Sequence, residues 1–484
     1  MKKSLIVLFC VVLTTSLFSQ NLSISTTEWP VIHQNNLGTK ESTNTGPVGQ
    51  NILSEKYLGN KPVLMLQGNQ YLYYQASQSP YLYAFDPNNI QSGPVFQKYT
   101  GAWFPNMGGG MIDNLGNNWW NISGRLIRFN EILSTSDSSE LFVIENGGQI
   151  PPANGITLLT PNRLMVSTVS NYAWVFNSEL DSISNKFKLL DTINFKNFTF
   201  NGDSIWKDEL IFSPRPIIDD SGYVYLVGGD WLVKLLFNQQ TNKLNREIVW
   251  AYKNPNDSIS DFTLSNPIII NNNICVTASA SSTSHEKLYI LNKVNGNLVY
   301  DISPFPSALG KDALHTLGGI QSSNIIFAIC NSPDGDAGVS AYDLNTGLEK
   351  WPFVSLKNIS EAFCISSSSN KVFLSYSEDA FSAFKIASID INTGQYSDIY
   401  IDSSITVNPT GHLGLIGYTG LIYPTPTGIV RLFDGPLNIF ELEESKNKIF
   451  KIVDVLGREI KGTKNKLLFY IYDDGTVEKK IIIE

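Results

Sequence analysis

The sequence predicts an all-β fold, a β-propeller of eight blades, with seven blades as the alternative. The chain consists of short runs of β-forming residues separated by polar turns, and it shows almost no helical periodicity. A strand that ends on Asp or Asn where the chain turns recurs eight times, at intervals of 44 to 61 residues. One such residue is common in any all-β protein, but eight at this spacing indicate one per four-stranded blade: Asp86, Asn130, Asn177, Asn238, Asn292, Asp343, Asp390 and Asp434.

The turn after each of these residues has a local physical cause. Asp and Asn side chains accept hydrogen bonds from backbone amides two residues further on, and they tolerate a tight turn. In Asp343–Gly347 and Asp390–Gly394 the turn closes on glycine, which adopts the positive φ that a short hairpin usually needs. We therefore expect each of these residues to join one strand to the next.

Length, charge and composition limit the possible domain organisation. At 484 residues the chain is long enough for about two domains. It has 35 basic and 44 acidic residues without a basic stripe, so a nucleic-acid partner is not expected. The last 44 residues contain 9 basic and 9 acidic residues, 41% charged, against 14% in the preceding 440. We predict a propeller over residues 51–440 and a small second domain over residues 441–484.

The first twenty residues resemble a secretory signal peptide. Lys2 and Lys3 precede an apolar run, Leu5–Leu13, that is too short to span a bilayer, and a small, polar stretch follows it. Cys10 lies inside the run and not at its exit, which argues against a lipid anchor. We predict cleavage after residues 1–20, an N-terminal segment over residues 21–50, and no transmembrane anchor in the mature chain.

One stretch resembles a known propeller repeat. "AYDLNTGLEKW", Ala341–Trp351, is similar to the repeat of quinoprotein (PQQ)-like β-propellers, in which the Trp packs between blades. Dehydrogenases of that family hold the quinone over a disulfide between adjacent cysteines and bind a calcium ion. Here the mature chain has only three separated cysteines, which we expect to be isolated buried thiols: Cys275, Cys330 and Cys364. The resemblance implies the fold, and we predict no cofactor and no metal site.

The tail has a second resemblance. "KIVDVLGRE", Lys451–Glu459, and "FYIYDDGTVEKKIII", Phe469–Ile483, look like the type A C-terminal sorting domain of type IX (Por) secretion substrates in the Bacteroidetes. The resemblance implies a small β-sandwich, recognition by the outer-membrane translocon, and export through the periplasm to the cell surface or the medium. It also implies the residues of the sorting signal: Asp454, Gly457, Arg458, Tyr470, Gly475, Lys479 and Lys480.

No catalytic motif is present, and we predict no catalytic residues. The sequence has no Gly-x-Ser-x-Gly elbow, phosphate loop or zinc-peptidase motif, and its four histidines lack metal-type spacing. The excursion Asp191–Leu210 within the longest interval is a candidate binding loop or, equally, an extra outer strand. Five tryptophans could stack on sugars or pack between blades: Trp103, Trp119, Trp120, Trp174 and Trp231.

These observations favour an exported, non-enzymatic protein that binds a glycan or a protein through propeller loops. The alternative is an extracellular glycan lyase or hydrolase whose carboxylates come from different blades and meet at the central channel. A structural surface-layer component is a third hypothesis. Carboxylates clustered with Tyr, His or Arg at the channel would favour the enzyme, whereas a filled channel would argue against it.

Overall fold

The structure is a computed structural model. It describes residues 37–49, 51–76, 79–102, 107–142, 153–168, 171–206, 216–228, 231–255, 267–278, 287–303, 314–331, 336–359, 363–379, 382–405, 414–417, 420–435, 449–453, 458, 467–472 and 477–481. Its described residues are almost entirely β-structure, with short 3-10 turns at Ile90–Ser92 and Phe195–Asn197. No helical segment in this part of the chain has the length and hydropathy needed to cross a bilayer.

Eight antiparallel sheets form the eight blades of a β-propeller, which confirms the predicted fold class. Two strands precede the first blade, β1 (Glu41–Ser42) and β2 (Ile52–Leu58). Blade 1 contains β3 (Pro62–Gln67), β4 (Leu72–Ala76), β5 (Tyr81–Phe85) and β6 (Pro94–Tyr99). Blade 2 contains β7 (Met107–Ile112), β8 (Asn118–Ile122), β9 (Arg125–Phe129) and β10 (Ser136–Ser138).

The two blades that follow are separated by an additional hairpin. Blade 3 contains β11 (Ala153–Thr160), β12 (Arg163–Thr168), β13 (Tyr172–Leu180) and β14 (Phe187–Asn194). The hairpin consists of β15 (Thr199–Phe200) and β16 (Asp203–Ser204). Blade 4 contains β17 (Ile217–Ile218), β18 (Tyr223–Gly228), β19 (Trp231–Asn238), β20 (Lys243–Leu244) and β21 (Trp250–Lys253), and both of the last two strands pair with β19.

The remaining blades repeat the same inner-to-outer strand order. Blade 5 contains β22 (Ile268–Ile270), β23 (Asn273–Ala278), β24 (Lys287–Asn292) and β25 (Leu298–Ile302). Blade 6 contains β26 (Leu314–Ile320), β27 (Ile325–Asn331), β28 (Asp336–Asp343) and β29 (Leu348–Lys357). Blade 7 contains β30 (Phe363–Ser366), β31 (Lys371–Tyr376), β32 (Phe384–Asp390) and β33 (Tyr396–Asp402).

Blade 8 is built from both ends of the propeller sequence. Its three C-terminal strands are β34 (Leu415–Gly417), β35 (Gly420–Thr425) and β36 (Gly428–Asp434), and β2 supplies the outer strand beside β36. The guanidinium of Arg431 on β36 lies 3.1 Å from the carboxylate of Glu55 on β2. The ring is therefore closed by pairing of strands from opposite ends of the chain, which leaves fewer exposed strand edges.

The repeated turns have the predicted hydrogen bonds. The side chain of Asp343 accepts from the amide of Asn345 at 2.8 Å, and its carbonyl accepts from Gly347 at 2.8 Å. Asp390 makes the same pattern in the next blade, with Asn392 and Gly394 as donors. The third predicted anchor is wrong, because β13 continues past Asn177 to Leu180. Asp181 caps that turn instead, through the amides of residues 183 and 184.

Aromatic side chains link successive blades at these turns. Trp351 on β29 packs against Gly394 of the next blade, and its indole N–H donates to the carbonyl of Ile391 at 3.0 Å. A Cβ at Gly394, where φ is 72°, would lie 2.8 Å from the Trp351 ring, so a larger residue does not fit. Tyr300 contacts Gly347 in the same way one blade earlier. The predicted packing role of Trp351 is confirmed.

The tail contains a separate three-stranded antiparallel sheet of β37 (Ile449–Val453), β38 (Leu467–Tyr472) and β39 (Val477–Ile481). A second compact unit comprises residues Gly49–Asn51 and Asp434–Glu484. The predicted domain start, Glu441, lies outside the described residues, so the boundaries stay predictions. Inside this sheet, Leu468 is fully buried.

Candidate functional site

The excursion between blades 3 and 4 is a small, anchored hairpin. After β14 the chain makes a 3-10 turn, Phe195–Asn197, and then forms the β15–β16 hairpin. Phe195, Phe198 and Trp206 are buried in the apolar cluster between the two blades, and the Trp206 indole N–H donates to the carbonyl of Gly228 at 3.0 Å. Buried aromatic anchors of this kind hold a surface loop in one position. Both predicted roles of the excursion, a binding loop and an extra outer strand, are compatible with this geometry, because the excursion adds strands and also presents a loop.

An ion pair holds the base of the hairpin. The guanidinium of Arg246 donates to both carboxylate oxygens of Asp191, at 2.9 and 3.1 Å, and the amide of Leu244 donates to the same carboxylate. The Asp191 side chain is only 6% exposed, and the Arg246 guanidinium also lies 5.2 Å from the centre of the Phe198 ring. Both bonds come from the same guanidinium nitrogen, Nη2, and such charge-assisted hydrogen bonds are stronger than neutral ones. The pair joins blade 3 to blade 4 beneath the exposed hairpin.

The exposed part of the hairpin is polar. Its tip is formed by Asn201 and Gly202, with φ values of 53° and 91°, the left-handed conformation of a tight hairpin turn. Lys196 and Asn197 are exposed in the 3-10 turn that precedes the hairpin, and the hydroxyl of Ser204 donates to the carbonyl of Lys196 at 3.0 Å. The surface offers amide, hydroxyl and ammonium groups in a rigid arrangement. Such groups suit hydrogen bonding to a hydroxylated or peptidic ligand.

Of the two roles considered for the five tryptophans, sugar stacking and packing between blades, the structure shows packing for three. Trp119, Trp120 and Trp174 are fully buried, and Trp174 stacks on Phe142 at a ring distance of 4.8 Å. These rings pack within or between blades and are closed to a sugar. Trp231 is half-buried at the start of β19, and Trp103 lies outside the described residues.

The turn that begins at Asp113, just before Trp119, has a structural role that its sequence pattern indicates. Asp113 is fully buried, and its carboxylate accepts from the amides of Leu115 and Asn117 and, at 2.8 Å, from the Trp119 indole. Asp219 makes the same turn in blade 4, with the Tyr225 hydroxyl as the third donor at 2.9 Å. In both cases Gly follows three residues after Asp and the aromatic residue six after it. The spacing was available in the sequence as an internal repeat.

A charged group lies on blade 7, away from the channel. The Tyr376 hydroxyl donates to Asp398 at 2.6 Å, and Lys385 contacts both Asp398, at 3.4 Å, and Glu378, at 2.9 Å. Burial, followed by the hydrogen bond to Asp398, raises the pKa of Tyr376 well above its usual value. Lys385 and Asp398 belong to the two outer strands of the blade. This group therefore does not form the channel cluster that the enzyme hypothesis requires.

A second charged group joins blades 7 and 8. Lys56 on β2 donates to the carboxylate of Asp402 at 2.5 Å, and the hydroxyls of Tyr400 and Ser404 donate to it as well. Burial by itself opposes ionisation of Asp402, but these hydrogen bonds outweigh it and lower the pKa of Asp402 to about 2. The ionised Asp402 carboxylate has a structural role, since both of its oxygens accept hydrogen bonds from the chain itself.

Buried polar groups collect at the seam between blades 1 and 2. Gln75 and Trp120 are fully buried, and within the described part of the chain neither the Gln75 amide nor the Trp120 indole N–H has a hydrogen-bond partner. Gln75 follows Tyr73 by two residues on β4, so both side chains lie on the same face of blade 1. Tyr73 and Trp120 belong to one apolar cluster, which places Gln75 and Trp120 at the same interface. A polar seam of this kind can hold ordered water or a small polar molecule.

The inner edges of blades 5 to 8 are covered by the chain's own N-terminal segment. In blades 5 to 7, backbone amides at the inner strands donate to carbonyls of residues 37–42, and in blade 8 the carbonyl of Ile416 accepts from the Ser42 hydroxyl. The channel-facing edge of these four blades is thus occupied by polypeptide. Among the described residues, this observation argues against a catalytic cluster at that edge.

The cysteines and histidines show no arrangement typical of a metal or redox centre in the described residues. Cys275 and Cys364 are buried free thiols on different blades, and burial raises the pKa of both. No cluster of three or more His, Cys, Asp or Glu side chains suitable for a metal ion occurs in that part of the chain. His33, His285 and His412 lie outside it, and the backbone of His315 belongs to β26.

The residues of the predicted sorting signal fall on both described and undescribed parts of the tail. Asp454, Gly457 and Gly475 lie outside the described residues, and Arg458 is exposed. Tyr470 belongs to β38, where it pairs with Glu478 of β39. Lys479 and Lys480 lie on β39 opposite Phe469 and Leu468, and β39 is an edge strand of the described sheet.

Solved structures share the fold of this chain. A europium-containing methanol dehydrogenase superposes with a TM-score of 0.56 at 11% identity, covering 83% of this chain and 90% of the dehydrogenase. At this identity the two chains share a fold, and activity does not follow. A protein from Lactobacillus plantarum (TM-score 0.46, 10% identity, 80% and 100% covered) and Sqt1 from Chaetomium thermophilum (0.47, 11%, 81% and 99%) are also similar.

No protein-family model matches the sequence, and no curated protein matches it. The quinoprotein-like and sorting-domain resemblances therefore rest on the quoted residues alone. The fold is a β-propeller.

Proposed function

We propose that this chain is an exported, non-catalytic protein that binds a glycan or a protein through propeller loops. The observation that carries the proposal is the hairpin between blades 3 and 4. Three buried aromatic residues and the Arg246–Asp191 ion pair hold it, while its tip exposes polar groups. Binding surfaces on propellers are expected on such loops, because the blades supply a rigid scaffold.

A direct test is a glycan array and an affinity capture of surface proteins with the purified chain. The variant Lys196→Ala, Asn197→Ala removes exposed groups of the 3-10 turn that precedes the hairpin and leaves the buried aromatic anchors unchanged. We expect this variant to lose the ligand that the unmodified chain retains. A matched control is Lys188→Ala, an exposed lysine on β14 outside the hairpin. Equal binding by all three proteins would contradict the role of the hairpin.

For the tail, we propose that residues 441–484 direct type IX secretion, with the outer-membrane translocon as partner. The support is the match of the tail to that sorting domain in sequence, together with its own three-stranded sheet. Deleting Glu441–Glu484 should leave the propeller in the periplasm, which cell fractionation measures. Lys446→Ala, Lys448→Ala lies in the tail outside the matched motifs and should leave export unchanged. Continued export of the deleted chain would reject the proposal.

The enzyme alternative, a glycan lyase or hydrolase, would have to use the charged group on the outer strands of blade 7 in place of a cluster at the central channel. The Tyr376–Asp398 pair with Lys385 places a phenol, a carboxylate and an ammonium within hydrogen-bond reach. Release of new reducing ends or unsaturated products from extracellular polysaccharides would support this activity. Loss of that release in Tyr376→Phe, with Tyr396→Phe as the matched control, would assign it to blade 7.

A further inference from the structure

Residues 37–46 form a strap along the inner edges of four consecutive blades. The carbonyl of Leu37 accepts from the Ile269 amide of blade 5 at 3.0 Å, and that of Thr39 accepts from Gly319 of blade 6 at 2.9 Å. In blade 7 the amide of Ile365 donates to the carbonyl of Lys40 at 3.0 Å, and β1 pairs in parallel with β30. The hydroxyl of Ser42 then donates to the Ile416 carbonyl of blade 8 at 3.3 Å.

Four consecutive serines in blade 7 hold the second half of the strap. They form the turn between β30 and β31, and each hydroxyl donates to a different backbone carbonyl of residues 42–45. Ser366 reaches the carbonyl of Asn44 at 2.6 Å, and Ser369 reaches that of Thr45 at 2.6 Å. Ser367 donates through both its amide, at 3.1 Å, and its hydroxyl, at 3.2 Å, to the carbonyl of Ser42.

The chemistry of this contact is that of peptide recognition. Most of these hydrogen bonds go to strap carbonyls, which any extended peptide supplies, and strand edges are ready templates for such pairing. The strap itself, "LGTKESTNTG", is rich in hydroxyl side chains and poor in apolar ones. One side chain gives specificity, because buried Lys40 places its ammonium 4.3 Å from the centre of the Phe363 ring.

We propose that the inner-strand edges of blades 5 to 8, with the Ser366–Ser369 turn, form a binding site for an extended, hydroxyl-rich peptide. The chain's own strap occupies this site, and after the strap is released the site accepts a peptide of the same chemistry from outside the chain. The site uses strand edges and not the hairpin between blades 3 and 4. This proposal is therefore independent of the proposed function, and each can be rejected without the other.

The test uses the full chain with a protease recognition sequence inserted between Val48 and Gly49, where both residues are exposed. Cleavage leaves the strap held only by non-covalent contacts. The probe is a fluorescent synthetic peptide of residues 37–48, and its uptake is followed by anisotropy before and after cleavage. We expect saturable uptake by the cleaved chain, no uptake by the intact chain, and no uptake of a peptide with the same composition in scrambled order.

Two variants separate specific recognition from general instability. In the cleaved chain, Ser367→Ala and Ser369→Ala each remove one hydroxyl donor to the strap, so each should weaken probe binding about fivefold. Ser134→Ala in the exposed turn of blade 2 is the matched control and should leave binding unchanged. The proposal is rejected if the cleaved chain loses its strap without taking up the probe, if it unfolds on losing the strap, or if the strap never exchanges.

Discussion

The ion pair between Lys56 and Asp402 predicts a pH-dependent stabilisation of ring closure. Lys56 lies on β2, the N-terminal strand that completes blade 8, and Asp402 ends the outer strand of blade 7. The perturbation is Lys56→Met, which keeps most of the aliphatic side chain and removes the charge. Because the Asp402 side chain is only 10% exposed, solvent screens this pair less than it screens a surface pair.

The magnitude follows from the pKa of Asp402. A carboxyl whose pKa is about 2 in the folded chain and near 4 in the unfolded chain stabilises the fold by about 2 kcal/mol at neutral pH. Lys56 is the strongest of the groups that lower this pKa, so its removal should cost about 1–2 kcal/mol. The contribution is fully present above pH about 4 and is lost as the pH falls through about 2, where Asp402 becomes protonated in both states.

The assay is urea unfolding of the unmodified chain and the Lys56→Met variant, followed by tryptophan fluorescence at several pH values. The difference in unfolding free energy should be largest at neutral pH and disappear near pH 2. Lys186→Met removes an exposed ion pair with Glu140 and is the matched control, for which we expect little change. A difference that stays constant with pH would refute the electrostatic reasoning, since it would reflect side-chain packing alone.

Three further substitutions test the fold and the polar seam. Trp351→Ala should lower the free energy of unfolding in urea by about 3–5 kcal/mol, because it removes the indole that packs against Gly394 of the next blade. A decrease below about 1 kcal/mol would argue against that contact. Asp113→Ala leaves two amides and the Trp119 indole without their acceptor and should cost about 3 kcal/mol; a neutral effect in thermal unfolding would contradict the turn. Gln75→Leu should leave stability unchanged or raise it by about 1 kcal/mol in the same assay, and marked destabilisation would indicate an occupied polar site.

The repeat was predictable because its signals are local. The turn at Asp343 needs only a side-chain acceptor two residues before its donor and a glycine with positive φ, so both appear in a short stretch of sequence. The anchor predicted at Asn177 is misplaced because two possible acceptors occur close together in that stretch. Strand β13 is longer than its neighbours, and a second acceptor, Asp181, follows four residues later.

The candidate sites were less predictable, because burial depends on partners far away in the chain. From the sequence, Trp119 and Trp174 could bind sugar, although packing between blades is the more usual role, and the structure buries both. The Arg246–Asp191 pair joins residues 55 positions apart on different blades. No periodicity reveals such a contact, since in the sequence each of the two residues looks like an ordinary surface charge.

The sequence by itself determined the all-β class, the eight repeats, and the turn and packing roles of Asp343, Gly347 and Trp351. Each of these depends on hydrogen bonds or spacing within one blade or its neighbour. Only the tertiary structure decided how the ring closes through β2 and where residues 37–46 lie. Those contacts join the first described residues to blades more than 200 residues later, and several of them are backbone hydrogen bonds, which carry no sequence signature.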